Sequence, residues 1–497
     1  MYSYSVQQED IDILSSHSKV AYCKIELLNR DMQILDSLEG VVFNDSFSCT
    51  GESTTRRSYN CDIIVKDSTF TIGPDKKIWI NKYIRVYYGL ETPRVKKKYY
   101  LLGTFLFSDT NYSYSSTENK LSLSCVDRMA ELDGTRGGLM PVEASSEDRK
   151  LNVGEKYYDV IVGLLNAAGV TNYLISGVDD FVLPHDVEYN TGTTYCELLT
   201  TIRDIYKYWE FFFDEEGTFI WRRIPTGYGE DVIFSDAVFS PLVVSEDLNS
   251  SFQKIYNATE IWGQELNLVE DDRFANECTG GTSETDNVYH INLSGITTME
   301  DVDRFEYIAI KVSGAYGKYI NINNIQDIPI YKSTKPEMSE DVYTPDTIYV
   351  FCYRRTINGA VEAPDNPTFL NFYCMGQFQC HGYYEETSSD VPYSIPNVGY
   401  KILNIIENDK LFSDEICDEQ ARYETYQTTA KQDTLNVSCL IIPFLEPTNK
   451  IKHTTLSTGD EDEWIVKNFS WSTNSGVMSL TLYRFLQGYE YVVNNGG

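Results

Sequence analysis

The sequence predicts a mainly β protein with α+β parts, and three observations lead to this class. Many short runs alternate apolar and polar residues between Gly, Asn and other turn residues, which is the pattern of half-buried strands. Tyr (38) and Phe (23) are abundant while Pro (15) is modest, and this composition favours strands over disorder. Helical spacing appears in only a few segments. A chain of 497 residues is too long for one core, so about three or four domains are expected.

The first predicted domain covers residues 1–133. Residues 1–19 are polar and predict a short helix or an arm, and short alternating strands follow from Ala21. Several strands at short spacing indicate a barrel or a sandwich. The basic run Lys96, Lys97 and Lys98 precedes a hairpin and is either a solvated loop or a possible contact with an acidic neighbouring subunit.

An α+β domain is predicted over residues 134–240, and it begins with a linker rich in Gly and Ser that extends to about Lys150. Apolar residues from Tyr157 to Ala168 fall on one helical face, and Gly169 stands where a helix-ending residue belongs. A second helix begins at Thr194, with Glu197 completing a capping box. The run EFFF-DEEG-TFIWRRIP then predicts a hairpin.

The rest of the chain predicts a domain interrupted by an insertion. We assign residues 241–275 and 386–497 to a second barrel, whose first strand is expected at Asn257–Gly263 and which carries a helix at 413–432. Residues 276–385 are predicted to be an inserted β module. Its aromatic residues could stack on host sugars, but we favour core packing and subunit contacts; they are Tyr316, Tyr319, Tyr349, Phe351, Tyr353, Phe372, Tyr373 and Phe378.

Two stretches look like one piece of structure used twice: Tyr99–Arg128 and Glu463–Phe485. In each, a strand with two aromatic residues leads through a polar turn to a strictly alternating strand, so one face should be buried. The alternative is two unrelated half-buried hairpins. The residues of this repeated signature are Gly103, Phe105, Phe107, Leu121, Leu123 and Asp127 in the first copy, and Phe469, Trp471, Leu480, Leu482 and Arg484 in the second.

Charge and cysteine content exclude several classes of protein. With 74 acids and 41 bases the net charge is −33, which argues against a protein that grips nucleic acid by its phosphates. It is compatible with ordinary solubility or with a repulsive wall past which DNA slides. Eleven Cys without a CxxC spacing, and five His, predict neither a disulfide framework nor a zinc site. No signal peptide or membrane span is predicted, and synthesis in a reducing cytoplasm is expected.

No candidate for chemistry outweighs its structural alternative. Cys374, Cys380 and His381 lack a fourth metal ligand, and His185-Asp186 has no nucleophile nearby. The acidic runs Glu270–Asp272 and Asp460–Glu463 lack the spacing of a calcium loop and are expected to be solvated turns. We therefore predict no enzyme, no catalytic residue, no cofactor and no metal.

The order of these parts resembles the bacteriophage tail hub, or baseplate hub, protein family. The resemblance covers most of the chain, although no single motif is decisive. Its motifs are RRSYNCDIIV (56–65), GTFLF with LSLSCVD (103–107, 121–127), GLLNAAGV with TTYCELLTTIRDIYKYWEFFFDEEGTF, IPNVGYKILNIIENDKLFSDEICDEQARYETY with DTLNVSCLIIPFLEPTNKIKHT, the strand pair at 464–485, and a small β module at about 305–380.

The resemblance implies two tube-like β-barrels per chain and a homotrimer whose six barrels form a pseudo-sixfold ring. Such a ring would join a sixfold tail tube or distal tail protein to a threefold spike, fibre or tail lysin, near the tape measure protein. It would line the DNA exit channel without binding DNA specifically. The protein would be part of the virion tail, assembled in the bacterial host cytoplasm. The alternatives are a tail-associated cell-wall hydrolase and a host-glycan-binding adhesin.

Overall fold

The computed structural model divides into two compact units. The first contains Met1–Ala258, Glu385–Asn404 and Arg422–Gly497, and the second contains Thr259–Tyr384 and Ile405–Ala421. The structure describes residues 4–39, 42–65, 71–116, 119–141, 149–206, 208–224, 232–266, 275–299, 301–302, 307–331, 343–357, 360–361, 369–375 and 378–485.

The chain begins with a helix, and the seven antiparallel strands that follow form what we call the first half-sheet. Its strands lie in the order β3-β4-β7-β6-β5-β1-β2. The alternation predicted for the second strand of the early hairpin is confirmed, since Leu121, Leu123 and Cys125 are all buried. The elements are α1 (Gln8–Ser15), β1 (Val20–Leu28), β2 (Ile34–Glu39), β3 (Val42–Thr50), β4 (Arg57–Ile64), β5 (Tyr83–Glu91), β6 (Lys98–Tyr114) and β7 (Asn119–Asp127).

An α+β segment follows, and its local signals are confirmed. Helix α2 ends at Gly169, which has a φ of 83°, a value that glycine tolerates best. Thr194 and Glu197 form both hydrogen bonds of the capping box, at 2.8 and 3.0 Å. The elements are β8 (Lys150–Leu151), α2 (Tyr157–Ala168), β9 (Tyr173–Ile175), β10 (Val187–Glu188), α3 (Tyr195–Ile205), β11 (Trp209–Phe213) and β12 (Phe219–Arg223).

Three short elements of the first unit come next, before the chain enters the second unit. They are β13 (Val232–Phe234), α4 (Asp236–Phe239) and β14 (Val243–Asn249).

The second unit contains a nine-stranded mixed sheet and a separate three-stranded sheet. The aromatic rings of Tyr289, Phe351 and Tyr353 are buried in the core of the nine-stranded sheet. The strands are β15 (Ala258–Leu266), β16 (Asn276–Glu277), β17 (Thr279–Gly280), β18 (Val288–Ile291), β19 (Tyr307–Lys311), β20 (Tyr319–Ile322), β21 (Asp327–Tyr331), β22 (Ile348–Ile357), β23 (Ala360–Val361), β24 (Phe369–Met375) and β25 (Phe378–Glu385).

The chain then returns to the first unit and completes a second half-sheet. The predicted helix at 413–432 is observed as α6, whose last eight residues belong to the first unit. Strands β27–β30 pair with β13 and β14, and together these six strands form the second half-sheet. The elements are α5 (Ile395–Val398), β26 (Leu403–Glu407), α6 (Asp414–Thr429), β27 (Lys431–Leu440), β28 (Lys450–Thr454), β29 (Glu461–Trp471) and β30 (Val477–Phe485).

The mainly β class with α+β parts is confirmed, but the two predicted tube-like barrels are not closed within the described residues. They are instead the two halves of one 13-stranded sheet, because the end of β29 pairs with β3. The strand that we expected at Asn257–Gly263, as the beginning of the second barrel, is β15, which begins one residue later, at Ala258. It pairs with β25 and β26 in the three-stranded sheet, and the second half-sheet begins earlier in the chain, at β13.

The two half-sheets repeat one topology over six strands. In chain order, β1, β3, β4, β5, β6 and β7 correspond to β13, β14, β27, β28, β29 and β30. The neighbour order is β3-β4-β7-β6-β5-β1 in the first and β14-β27-β30-β29-β28-β13 in the second. The half-sheets also differ, since β13 pairs parallel with β28 where β1 pairs antiparallel with β5, and β2 has no counterpart among the described residues. The repeat predicted from one hairpin therefore extends to a whole half-sheet.

Candidate assembly interface

Irregularities in the two hairpins fix their alignment residue by residue. The β6–β7 ladder shifts register at Ser108, and the β29–β30 ladder shifts at Lys467. Placing these bulges together aligns Leu121 with Met478, Leu123 with Leu480 and Cys125 with Leu482, which is the alignment of alternating residues that the sequence indicates.

The same alignment changes which aromatic residues of the two hairpins correspond to each other. Phe105 lies opposite Ile84 of β5, and Trp464 lies opposite Ile451 of β28, so these two are equivalent. The sequence had instead matched Phe105 and Phe107 with Phe469 and Trp471. The difference arises because the two aromatic pairs lie on opposite sides of the bulge: Phe105 and Phe107 precede Ser108, whereas Phe469 and Trp471 follow Lys467.

The residues of the hairpin signature lie mostly in the core of the first unit. Gly103 leaves room for a ring, since a Cβ there would lie 2.6 Å from Phe105. Those that are buried are Phe105, Phe107, Leu121, Leu123, Asp127, Phe469, Trp471, Leu480 and Leu482.

The two half-sheets meet at a junction of four residue pairs. Residues Asn468–Trp471 of β29 run antiparallel to Phe47–Thr50 of β3. The rings of Trp471 and Phe47 are 4.6 Å apart, and Asp45 accepts hydrogen bonds from the backbone (2.9 Å) and the hydroxyl (2.8 Å) of Thr473. The two half-sheets are therefore held together by a backbone ladder, by an aromatic contact and by the hydrogen bonds to the buried Asp45 carboxylate.

A buried acid closes the first half-sheet. The Asp127 carboxylate accepts hydrogen bonds from the backbone N–H groups of Arg56 (2.7 Å), Arg57 (2.9 Å) and Met129 (2.9 Å). Burial raises the pKa of Asp127 to about 6, although these three donors favour the charged form. The residue thus anchors the turn before β4 to the end of β7.

Two arginines beside this acid connect the half-sheets with the α+β segment. Arg57 is buried, donates to the carbonyl of Phe213 at 2.8 Å and forms an ion pair with Glu446. A second carboxylate, Glu215, lies 3.7 Å from the same guanidinium. Partial burial and the nearby charge of Glu446 raise the pKa of Glu215 to about 7, against the opposing effect of Arg57.

Arg56 extends the same network. It pairs with Glu210 at 2.7 Å and stacks 3.4 Å above the ring of Phe212, while Arg222 reaches the other oxygen of Glu210 at 2.7 Å. Arg222 also donates to Thr448, in the turn before β28, at 3.0 Å. In the sequence, Arg56 and Arg57 stand out only as part of the motif RRSYNCDIIV, because their partners lie more than 150 residues away and give no local signal.

The second half-sheet carries a related pair with the charges exchanged. Its ladder places Asp433 opposite Arg484, and the alignment makes these positions equivalent to Arg57 and Asp127. Arg484 forms ion pairs with both Asp433 and Asp462. Each half-sheet therefore has an arginine and an aspartate at equivalent positions of two neighbouring strands, with the two residue types exchanged.

The basic run predicted as a possible subunit contact is partly engaged within its own chain. Lys97 pairs with Glu39, and Lys98 lies 2.5 Å from the buried Asp10 of α1. Burial by itself would raise the pKa of Asp10, but Lys98 and Tyr100 outweigh it and lower the value. Lys96 is exposed. A role of the three lysines in a subunit contact stays a prediction.

The other candidates do not converge on a site. Burial lowers the pKa of His185 to about 4, while Asp186 pairs with Lys150 at 2.6 Å. His381 contacts Glu260 at 2.8 Å. Glu270–Asp272 and the side chain of Cys374 lie outside the described residues. Within the described ranges, no three His, Cys, Asp or Glu residues are grouped as a metal ion would require, and no helix is long and apolar enough to cross a membrane.

The inserted aromatic residues whose side chains are described range from buried to exposed. Phe351 and Tyr353 are buried, Tyr319 and Tyr349 are half-buried, and Tyr316 is exposed. The side chains of Phe372, Tyr373 and Phe378 lie outside the described set.

Two strand edges at opposite ends of the repeat are not paired within the described residues. Beyond Phe107, the only described strand that pairs with β6 is β7, and the only described strand that pairs with β14 is β27. Tyr114 and Phe252 are each 77% exposed, at and just beyond the ends of these strands. Unpaired strand edges that expose large apolar residues are positions where a further strand can add.

Comparisons with known proteins give matches of low identity. A model for a domain of unknown function, DUF5048, matches residues 390–489, and no curated protein matches. The fold is similar to the prophage MuSo2 43 kDa tail protein from Shewanella oneidensis (TM-score 0.49, 10% identity, 93% of this chain and 98% of that chain). It is also similar to a tail protein from Neisseria meningitidis MC58, with a TM-score of 0.48 and 8% identity over 94% of this chain and 97% of that chain. A third similar structure is prophage tail protein gp18 from Listeria monocytogenes EGD-e, with a TM-score of 0.42 and 7% identity over 93% of this chain and 94% of that chain.

Proposed function

We propose that the chain is a structural hub of a bacteriophage tail, which assembles as a homotrimer. The ring would join the sixfold tail tube or distal tail protein to a threefold spike, fibre or tail lysin, beside the tape measure protein. The observation that carries this proposal is the six-strand repeat, because one chain presents two equivalent half-sheets. Three chains then present six, which matches a sixfold partner while the assembly itself stays threefold.

The repeat supports a connecting role in a second way. Elements that occur once per chain, such as β2, α1 and the second unit, occur three times in a trimer. Elements of the half-sheets occur six times. One chain therefore offers surfaces of both symmetries, as a connector between a hexamer and a trimer requires.

The charge supports the proposed position around the exit channel. A net charge of −33 repels the phosphate backbone, so DNA would pass without specific binding. The protein would then reside in the virion tail, after assembly in the host cytoplasm.

The proposal is tested by the native mass of the full-length protein over a range of concentrations. We expect a species of three times 56.9 kDa, or a monomer that trimerises when purified tail tube protein is added. A stable dimer under both conditions would overturn the proposal. In the same preparations, we expect DNA retention to be absent at physiological salt, and tight binding of duplex DNA would contradict the channel assignment.

A further inference from the structure

We infer that neighbouring copies of this chain join by a strand ladder that repeats the internal β29–β3 junction. Residues Asp109–Tyr112 of one copy would run antiparallel to Leu248–Ser251 of the next. This inference rests on the proposed trimer and specifies the two surfaces that hold it together. The partner of each surface is thus a second copy of the same chain.

The first surface is the outer edge of β6. Its first part pairs with β5 up to Leu106, and its remainder, from Phe107 to Tyr114, pairs only with β7 among the described residues. In β29, the equivalent remainder is Asn468–Trp471, which pairs with β30 on one side and β3 on the other. β6 therefore has the same bulged ladder as β29, but no second neighbouring strand lies beside it in the described part of the chain.

The second surface is the outer edge of β14. It corresponds to β3, and the correspondence includes an irregularity: the β3–β4 ladder shifts between Val42 and Asn44, and the β14–β27 ladder shifts between Val243 and Ser245. β3 uses its outer edge to bind β29, whereas β14 has no strand there in the described part of the chain. The edge of β6 thus corresponds to the β29 side of the internal junction, and the edge of β14 corresponds to the β3 side.

The register of the β29–β3 ladder, applied to β6 of one copy and β14 of the next, specifies which residues lie opposite each other. Thr50 faces Asn468 and Phe47 faces Trp471 inside the chain. Their equivalents place Ser251 opposite Asp109, Asn249 opposite Asn111, and Leu248 opposite Tyr112.

This register avoids repulsion between like charges. Asp247 would face Ser113, and Glu246 would face Tyr114, as Asp45 faces Thr473 inside the chain. The exposed Tyr112 and Tyr114 would gain neighbours. Within one chain, the Asp109 carboxylate accepts a hydrogen bond from the Thr110 N–H at 2.8 Å. This bond satisfies a backbone donor beside the unpaired edge in the free chain.

The junction between copies should be weaker than the one within the chain. Inside the chain, Trp471 packs on Phe47, whereas the equivalent pair between copies is Tyr112 with Leu248, which buries less aromatic surface. Because the two surfaces differ, the contact is head-to-tail, and in the proposed trimer three such contacts close a ring. Each chain would fold first and join its neighbours afterwards.

Disulfide trapping tests the register. Full-length protein carrying both Asn111→Cys and Asn249→Cys should give covalent dimers and trimers on a non-reducing gel after mild oxidation, since ladder partners lie within disulfide reach. The matched control is Ser48→Cys with Ser470→Cys, the internal equivalents, which should cross-link only within a chain. Unsubstituted protein and each single substitution show what the native thiols contribute.

The outcomes separate this inference from the proposed function. A native trimer without covalent dimers from Asn111→Cys/Asn249→Cys overturns the inference and leaves the trimer standing. A chain that is dimeric, or monomeric even with tube protein, overturns both.

Charge exchange gives a second measurement that does not depend on oxidation. Asn111 and Asn249 are exposed, so their substitution leaves the folded chain intact. Asn111→Asp with Asn249→Asp places like charges opposite each other in every junction, and should raise the concentration needed for trimerisation at least tenfold at low salt. Asn111→Asp with Asn249→Lys should restore it. Equal trimerisation of both double variants would contradict the proposed register.

Discussion

Trp471 lies directly opposite Phe47 in an antiparallel ladder, with the two ring centroids 4.6 Å apart. The residues are more than 400 positions apart in the sequence, and their strands belong to different half-sheets. This pair marks the point where the chain joins its two repeats into one sheet. The stability of the first unit should therefore depend on it.

Trp471→Ala should lower the free energy of unfolding of the first unit by about 3–5 kcal/mol, because it leaves a cavity in the core and removes the contact with Phe47. Denaturant unfolding followed by far-UV circular dichroism measures this. Tyr114→Ala, at an exposed position, is the control and should change stability by less than about 0.5 kcal/mol. A loss below 1 kcal/mol for Trp471→Ala would show that the junction does not stabilise the sheet.

Arg57→Met should destabilise the protein by about 3–5 kcal/mol, since it removes the partner of Glu446 while that carboxylate stays largely buried. The double variant Arg57→Met/Glu446→Leu should recover most of the loss, because an apolar pair can replace a buried ion pair. Additive losses in the double variant, measured by the same unfolding experiment, would contradict a direct coupling between the two side chains.

Glu215 should make stability depend on pH. Its pKa is about 7 in the folded protein and 4.5 for an unperturbed glutamate, so between these values the folded state keeps a proton that the unfolded state has lost. This contribution to stability therefore falls as the pH rises from about 4.5 to 7.

Glu215→Gln should remove this dependence. The melting temperature of the variant should exceed that of the unsubstituted protein at pH 8, and the difference should shrink towards pH 5. Asp75→Asn, at an exposed carboxylate of the same unit, serves as the control. A difference that grows as the pH falls would contradict the assignment.

Gly317→Ala should destabilise the second unit by about 1–3 kcal/mol through overpacking. A Cβ at this position would lie 1.9 Å from the ring of Tyr289, whose hydroxyl donates to the carbonyl of Gly314 at 2.6 Å and holds the ring in place. Hydrogen exchange of the backbone around β18 and β20 should become faster. Gly163→Ala in α2, where a Cβ meets no atom within 4 Å, should instead add about 0.5–1 kcal/mol.

Local chemistry made much of the fold predictable. The cap formed by Thr194 and Glu197, the helix end at Gly169 and the alternation along β7 each depend on residues close in sequence, and all were predicted correctly. The repeat was visible through one hairpin for the same reason. The other strands of each repeat differ in sequence, so only their ladder order reveals them.

Long-range pairing explains what the sequence did not predict. Whether a sheet closes on itself or continues into its neighbour depends on which strand meets the last residues of β29, and nothing near Trp471 specifies Phe47 as its partner. The assignment of Asn257–Gly263 to the second barrel failed similarly, because β15 alternates as any strand would. The contacts of Arg57 likewise join three parts of the chain that only the folded sheet brings together.

Electron cryomicroscopy of the assembled protein tests the central claim most directly. Our account predicts a ring of three chains in which six half-sheets alternate, with the outer edge of each β6 paired to β14 of the next copy. A particle with another number of chains, or one whose six half-sheets do not form the ring, would contradict it.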